Sequence, residues 1–189
     1  MKMLEGIKVL DFTTNASGPK VGMYFADYGA DVVKVETPGG EGGRKFLYYA
    51  NGISTYACGK DRGKKCVEVK LSDPDAQKLL LDVIKDVDIV LSSNKPGFLE
   101  KFGLGYEDMK KVNPGIIYAA LTPFGYKPNK YSSKPSYDIC AVAMSGLNDQ
   151  TGFPEGPPTR IGSVIGDMIG AEGFFAACML ALFHKQRTG

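Results

Sequence analysis

The sequence predicts an α/β fold of the Rossmann type, a parallel sheet with helices on both faces. Three observations carry that expectation. Apolar runs of strand length recur at residues 7–12, 31–36, 65–71, 88–93 and 115–125. Segments with helical spacing, bounded by cap and stop residues, separate most of them. Several of the runs are apolar without alternation, as strands buried on both faces are, and strands alternating with helices build parallel sheets. A chain of 189 residues is long enough for one domain with a sizeable core.

Residues 7–12, IKVLDF, begin the sheet, and the turn-rich loop TTNASGP follows. KVGMYFADYGA then places Val21, Tyr24, Phe25 and Tyr28 at helical spacing, with Gly29 as the stop. DVVKVE, residues 31–36, is the second strand and TPGGEGG a flexible loop, whereas residues 46–56 are aromatic without a clear period. KCVEVKL, residues 65–71, alternates as a strand. In SDPDAQKLLLDVIKDVD, Ser72 is the expected N-cap, with Asp75 three residues on in a loose capping box. Pro74 falls early enough in that helix to be tolerated. DIVLSS is the next strand, GFLEKFG and YEDMKKV are short helical pieces, and GIIYAALTPFG is another buried strand.

Beyond Gly125 the texture changes. The exposed loop YKPNKYSSKPS, a short helix in YDICAVAMSG and the long loop NDQTGFPEGPPTR interrupt the alternation. Loops of that length in a compact domain are more often functional than incidental. A last helix is expected over residues 168–187, closed by the basic turn HKQRTG.

Composition removes several functions. A formal net charge of +2 creates no broad field toward nucleic acid or anionic membrane. Cys58, Cys66, Cys140 and Cys178 form no Cys-x-x-Cys pair, and His184 is the one histidine. Neither a metal site nor a disulfide framework is therefore expected, which fits a reducing cytoplasm. The opening, MKMLEGIKVLDF, turns charged before any apolar stretch reaches the length of a secretory leader. Residues 164–183 approach the length of a membrane span, but Asp167 and Glu172 lie inside, and the uncharged part from 173 to 183 is too short. A buried helix is expected there instead.

Common catalytic motifs are missing as well. DFTTNASGPKVG, the turn after the first strand, lacks the G-x-G-x-x-G of dinucleotide binding, although Glu36 ends the second strand where a ribose-binding acid belongs. No G-x-x-x-x-G-K-[ST] phosphate loop and no G-x-S-x-G nucleophile elbow occurs. His184 reads as a surface group favoured by a helix C-terminus.

Asp167, in GDMIG, supports two readings. As a helix cap, its side chain would accept a backbone N–H bond. As a nucleophile, its carboxylate would sit at a helix N-terminus, where the dipole favours the anion. Glycines at 162, 166, 170 and 173 suit either close approach of a substrate or tight helix packing.

Four stretches occur in a specific order: LEGIKVLDFTTNASGP, FADYGADVVKVETPGG, KPGFLEKFGLGYEDMKKVNPGIIYAALTPFG and EGPPTRIGSVIGDMIGAEGFFAACMLALFHKQRTG. Together they resemble the family III CoA-transferases, the group of formyl-CoA:oxalate and carnitine CoA-transferases and α-methylacyl-CoA racemases. In that resemblance the catalytic aspartate falls on Asp167. It implies that Asp167 attacks an acyl-CoA thioester to give an anhydride and then an aspartyl–CoA thioester, which a carboxylic acid takes over. Coenzyme A is then a substrate and product, with no permanently bound cofactor and no metal. Partners are an acyl-CoA and a small carboxylic acid, with no nucleic acid or membrane.

Racemases of the family use a G-H-D stretch, whereas this chain has Tyr137 in the histidine's place beside Asp138. Tyrosine, with an ordinary pKa of about 10, is a poor proton abstractor at neutral pH, so transferase is favoured over racemase or epimerase. A non-catalytic CoA-binding or assembly module is the remaining alternative.

The CoA-binding positions implied by the resemblance are Asn15, Ala16, Ser17, Thr37, Lys101, Tyr137 and Asp138. Asn15, Ala16 and Ser17 match the loop near the pantetheine and thioester, with Ala16 in place of a glutamine. Lys101 matches a basic position near the nucleotide phosphates, and reads equally as a solvated helix lysine. Thr37 stands where arginine is frequent, and Ser93-Asn94 replaces the usual Asn-Phe. The KDRGKK cluster meets the CoA 3′-phosphate in one reading and is a solvated turn in the other. Family chains are much longer, so these 189 residues are expected to be the N-terminal half, with the small domain and returning segment absent. The full-length form is expected to be an interlocked homodimer.

Overall fold

The computed structural model describes residues 2–46, 48–132 and 134–189. The chain begins with β1 (Lys8–Phe12), α1 (Ser17–Asp27) and β2 (Asp31–Glu36). A short hairpin follows, β3 (Tyr49–Ala50) and β4 (Ile53–Ser54), and leads directly into α2 (Thr55–Asp61) and β5 (Lys65–Glu68). The strand–helix alternation resumes with α3 (Pro74–Ile84), β6 (Ile89–Ser92), α4 (Tyr106–Val112) and β7 (Ile117–Ala120). Two further helices, α5 (Asp138–Met144) and α6 (Ile165–Thr188), close the chain.

The main sheet has five parallel strands in the order β5-β2-β1-β6-β7, with Val9 opposite both Val32 and Ile89. Side chains alternate along each strand, so adjacent residues feed opposite cores. Val9, Val32, Ile89 and Leu91 pack with Val21 and Phe25 of α1 and with Phe174, Cys178 and Leu182 of α6. Leu10, Phe12, Val35 and Val90 pack on the other face with Leu80 and Ile84 of α3 and Met109 of α4. The α/β class and the helices on both faces are therefore observed. Each fully buried side chain contributes about 1.5–3 kcal/mol. Exposed ion pairs such as Arg62–Asp27 and Lys65–Asp31 contribute about 0–1 kcal/mol, so the two cores dominate stability.

Several local expectations are corrected. Asp73, not Ser72, caps α3, its side chain accepting the Asp75 N–H at 3.0 Å. The strand read over 65–71 ends at Glu68 and lies exposed at the sheet edge, because only β2 pairs with it. The buried strand read over 115–125 is limited to Ile117–Ala120 and is half-buried at the opposite edge. Helix α6 is long and apolar enough, by length and composition, to cross a membrane. It is not the buried helix expected. Ala171, Phe174, Cys178 and Leu182 face the sheet, whereas Ile169, Leu180 and Phe183 are 62%, 71% and 58% exposed.

The loop after β2 is held by a bidentate pair. Arg44 donates to Glu36 through Nε and Nη2, both at 2.6 Å, and the Glu41 N–H donates to Glu36 at 3.1 Å. Burial raises the Glu36 pKa, but the Arg44 hydrogen bonds outweigh it and the net shift is downward. A carboxylate lowered in the fold stabilises above its unfolded value of 4.5 and loses that contribution as pH falls through its folded value. Glu36→Gln is expected to lower stability at pH 7 by about 1–2 kcal/mol, the half-exposed guanidinium being screened by solvent. It should also flatten the acid limb, with wild type and variant converging below the normal carboxylate range in thermal melts from pH 7 to 3.

Candidate active site

The strand order reverses at β1, which is followed on one side by β2 and on the other by β6. Reversal points in parallel sheets open a crevice at the carboxyl ends of the strands. The segments leaving β1, β6 and β7 meet there with the first residues of α5 and α6. They enclose a cleft of about 310 Å³ lined by Asn15, Ala16, Ser17, Tyr137, Asp138 and Asp167, together with Ser93, Gly166 and Gly170.

Asp167 is the third residue of α6, whose N-cap is Val164 and has no side-chain cap bond. The capping reading of Asp167 is therefore overturned. Its backbone N–H instead donates to Oδ1 of Asp138 at 3.1 Å, so a carboxylate from α5 satisfies the end of α6. That leaves the Asp167 carboxylate free of the helix end, and its Oδ1 accepts from Ser17 Oγ at 2.6 Å. Of the four glycines singled out, only Gly166 has a close neighbour: a Cβ there would lie 3.1 Å from Asp138 Oδ1 and 3.3 Å from Val142. Gly170 lines the cleft and has open space around it. Replacing Asp138 by alanine is expected to cost about 0.5–2 kcal/mol in urea unfolding, as lost caps do, while asparagine keeps the acceptor and most of the stability.

Ser17 reaches Asp167 because α1 begins at Ser17, three residues before the helical spacing read from the sequence. The preceding loop is pinned from several directions. Asp11 Oδ1 accepts the Thr13 N–H at 2.8 Å and the Thr13 hydroxyl at 2.5 Å, and Lys34 donates to the Thr13 carbonyl at 2.9 Å. Asn15, in the left-handed region at φ 67°, donates its N–H to Glu41 at 3.1 Å.

Beneath the loop lies a buried charge cluster. Lys64 donates to Asp11 at 2.9 Å, to Asp61 at 3.0 Å and to the Pro19 carbonyl at 2.8 Å, and Lys34 pairs with Asp61 at 3.4 Å. The side chains of Lys34, Lys64 and Asp11 are 0% exposed and that of Asp61 is 8% exposed. A Cβ at Gly22 would stand 2.4 Å from Asp11 Oδ2 and 3.0 Å from Lys64 Nζ, so any larger residue at this position in α1 would have to displace the ion pair. The solvated-turn reading of KDRGKK fails for Lys64, whose charge is fully enclosed by carboxylates. It also fails for Lys60, which is half-buried on the ring of Tyr56.

Other expected residues lie apart. Thr37 lines a smaller cleft of about 120 Å³ with Glu36, Glu41 and Asn94. Lys101 is exposed on the 3-10 turn Glu100–Phe102 and lines none of these clefts. Tyr137 is 72% exposed at the mouth of the site. A cleft of about 210 Å³ shares Asn15, Ser93 and Tyr137 with the central one and presents Lys95 and Lys134. Sequence reasoning passed over both lysines. Their signal was the Lys-Pro pair in each, because proline holds the preceding residue extended at the edge of a loop. Among the described residues no metal-ligating cluster occurs.

A family model described as CoA-transferase family III matches residues 4–189. The chain is 38% identical to the probable fatty acyl-CoA transferase Rv3272 of Mycobacterium tuberculosis, covering 100% of this chain and 48% of that one. A crystal structure of Rv3272 superposes with a TM-score of 0.92, over 100% of this chain and 53% of that one. The acetyl-CoA:oxalate CoA-transferase of Acetobacter aceti is 34% identical over 98% of this chain and 48% of its own. The succinyl-CoA:glutarate CoA-transferase of Mus musculus is 39% identical over 100% of this chain and 44% of its own. The chain thus spans about half the length of the curated relatives it matches.

Proposed function

The chain belongs to CoA-transferase family III, and from that premise we propose that it carries the nucleophile of an enzyme moving CoA from an acyl-CoA to a free carboxylic acid. One observation carries the proposal. Asp167 stands in the cleft with its helix-capping duty taken by Asp138 and its carboxylate held by Ser17. A carboxylate so placed is oriented without being consumed by the fold.

In the proposed reaction an Asp167 oxygen attacks the thioester carbonyl carbon, the carbon–sulfur bond breaks, and CoA leaves as the thiolate. The thiolate then attacks the Asp167 carbonyl of the resulting anhydride, releasing the donor acid and leaving an aspartyl–CoA thioester. The acceptor carboxylate displaces the thiolate to form a second anhydride. Thiolate attack on the acceptor carbonyl gives the new acyl-CoA and frees Asp167. Splitting the exchange in this way needs no metal but does need water kept from the anhydrides. Ser17 is the positioning hydroxyl, Asn15 and Ala16 border the thioester, and Lys95 and Lys134 extend a basic path for the CoA phosphates. Tyr137, a phenol where racemases have histidine, supports transfer over racemisation. The exposed apolar side chains of α6, Ile169, Leu180 and Phe183, support a working form in which further protein surface covers this helix, and we take that form to be an interlocked homodimer.

Intact-mass trapping tests the proposal. Full-length protein mixed with an acyl-CoA and quenched with hydroxylamine or borohydride should carry a modification at Asp167 that is absent from Asp167→Ala. Binding of acyl-CoA with no adduct in either protein would return the chain to a non-catalytic CoA-binding role.

A further inference from the structure

Helices α1 and α6 meet along a seam that is polar beside the cleft and aromatic at its far end. On α1, Ser17, Lys20 and Tyr24 fall on one face, three or four residues apart, and Tyr28 at the C-cap continues it. The facing residues of α6 are Asp167, Met168, Glu172 and Phe175. Ser17 Oγ donates to Asp167 Oδ1 at 2.6 Å. One turn further along, Lys20 Nζ lies 3.1 Å from Met168 Sδ and donates to Glu172 Oε1 at 3.2 Å. Tyr24 donates its hydroxyl to the same Glu172 oxygen. Beyond that, Phe175 meets Tyr24 and Phe25 edge-on, with ring centroids 5.4 and 5.1 Å apart, and stacks on Tyr28 at 5.8 Å.

The two ends of the seam act differently. Burial of the Phe175 ring is non-directional, so it draws the helices together without fixing how far one slides along the other. Hydrogen bonds weaken steeply with distance and angle, and so they set the register. The N-terminus of α1 has no side-chain cap of its own, its N-cap being Ala16. The place of Ser17 therefore depends on the loop before it and on what grips the first turns of the helix. Glu172 grips two of those side chains with one oxygen. Its hydrogen bonds from Tyr24 and Lys20, Tyr24 the more, hold its carboxyl below the ordinary 4.5, so it is ionised at neutral pH. The Glu172 side chain is 60% exposed, so truncating it opens no cavity in either core.

We propose that Glu172 is a positioning residue for the transfer reaction: by drawing Lys20 and Tyr24 onto α6, it fixes the register at which Ser17 Oγ holds the Asp167 carboxylate. The inference rests on the CoA-transfer reading. Glu172 stands outside the cleft and acts through Ser17.

The test measures kcat and KM for acyl-CoA in full-length wild type, Glu172→Ala, Glu172→Gln, Tyr24→Phe, Ser17→Ala and the double variant Ser17→Ala/Glu172→Ala, with thermal melts on the same samples. Glu172→Ala should lower kcat by about 5- to 30-fold and leave KM for acyl-CoA within about twofold, since a misplacement of about 1 Å costs about 10²-fold. Glu172→Gln keeps an acceptor for the Tyr24 hydroxyl and should stay within about threefold of wild type. Tyr24→Phe removes that hydroxyl but keeps the ring on Phe175, and should share the fall in kcat. In the Ser17→Ala background, the Glu172→Ala change should cost less than about twofold, because the group it positions is gone. An equal fall in both backgrounds, an unchanged kcat, or a change confined to KM would overturn the inference while leaving CoA transfer intact. A loss of activity that tracks a lowered melting temperature would also overturn it and make Glu172 structural. Wild type that transfers no CoA removes the proposed function, and this inference with it.

Discussion

Replacing Asp167 by alanine in the full-length protein is expected to lower kcat for CoA transfer by about 10⁴-fold or more while acyl-CoA affinity changes little. Loss of a covalent nucleophile removes the intermediate itself, and enzymes of this kind fall by such factors. Asp167→Glu keeps the charge but displaces it along an extra methylene, and misplacement on that scale costs about 10²-fold. Stability should hardly move. The fold uses the backbone N–H of Asp167, donated to Asp138, and that bond survives side-chain truncation. Steady-state kinetics and thermal melts on the same samples therefore separate the roles. A variant that loses stability yet keeps turnover would make Asp167 structural.

The second large effect is expected from Lys64→Met. The methionine matches the volume of the lysine stem but leaves Asp11 and Asp61 buried with one fewer cation. Removing one partner of a buried ion pair costs about 3–5 kcal/mol, because the remaining charge is uncompensated. Exposed pairs such as Lys85–Asp82 offer a control, with an expected change of about 0–1 kcal/mol. Asp11→Asn combined with Lys64→Met should recover part of the loss, since the double variant removes both charges of the closest pair. Urea unfolding of the four proteins reads the coupling directly; strict additivity would show that the two charges act independently. Catalysis should suffer too, because Asp11 holds both the N–H and the hydroxyl of Thr13 at the root of the Ser17 loop.

Lys34 gives the same cluster a pH signature. Burial lowers its pKa, but Asp11, Asp61, Glu41 and Glu36 together raise it above the ordinary 10.5. A lysine raised in the fold stabilises fully below its unfolded value and loses that contribution as pH rises through the folded one. Wild type should accordingly lose stability above about pH 10.5. Lys34→Met, already destabilised at pH 7, should lack this part of the alkaline slope.

Much of the fold was legible because its causes are local. IKVLDF and DVVKVE are apolar over strand length, Gly29 stops a helix, and these properties act within a few residues. The errors have equally specific causes. The start of α1 was placed late because Ser17, Gly18 and Pro19 have weak helical character of their own and are carried by packing. Helix α2 was missed because TYACGKD has no apolar period and is held by Ser54 and the adjoining turn. The exposed face of α6 was misread because an apolar run reports what favours burial and not what covers it.

The sequence by itself determined the parallel α/β architecture, the want of dinucleotide and phosphate-loop motifs, and Asp167 as the residue to examine. Tertiary structure alone decided what Asp167 does in the fold. Ser17 is 150 residues from Asp167, Asp138 is 29 residues away, and Lys64 is 53 residues from Asp11. Partners at such separations are chosen by how helices seat on the sheet, since a hydrogen bond or buried ion pair is decided by tenths of an ångström. The same reason explains the lysines. A run of basic residues reads as solvated surface until the fold encloses Lys64 among carboxylates and lays Lys60 on an aromatic ring.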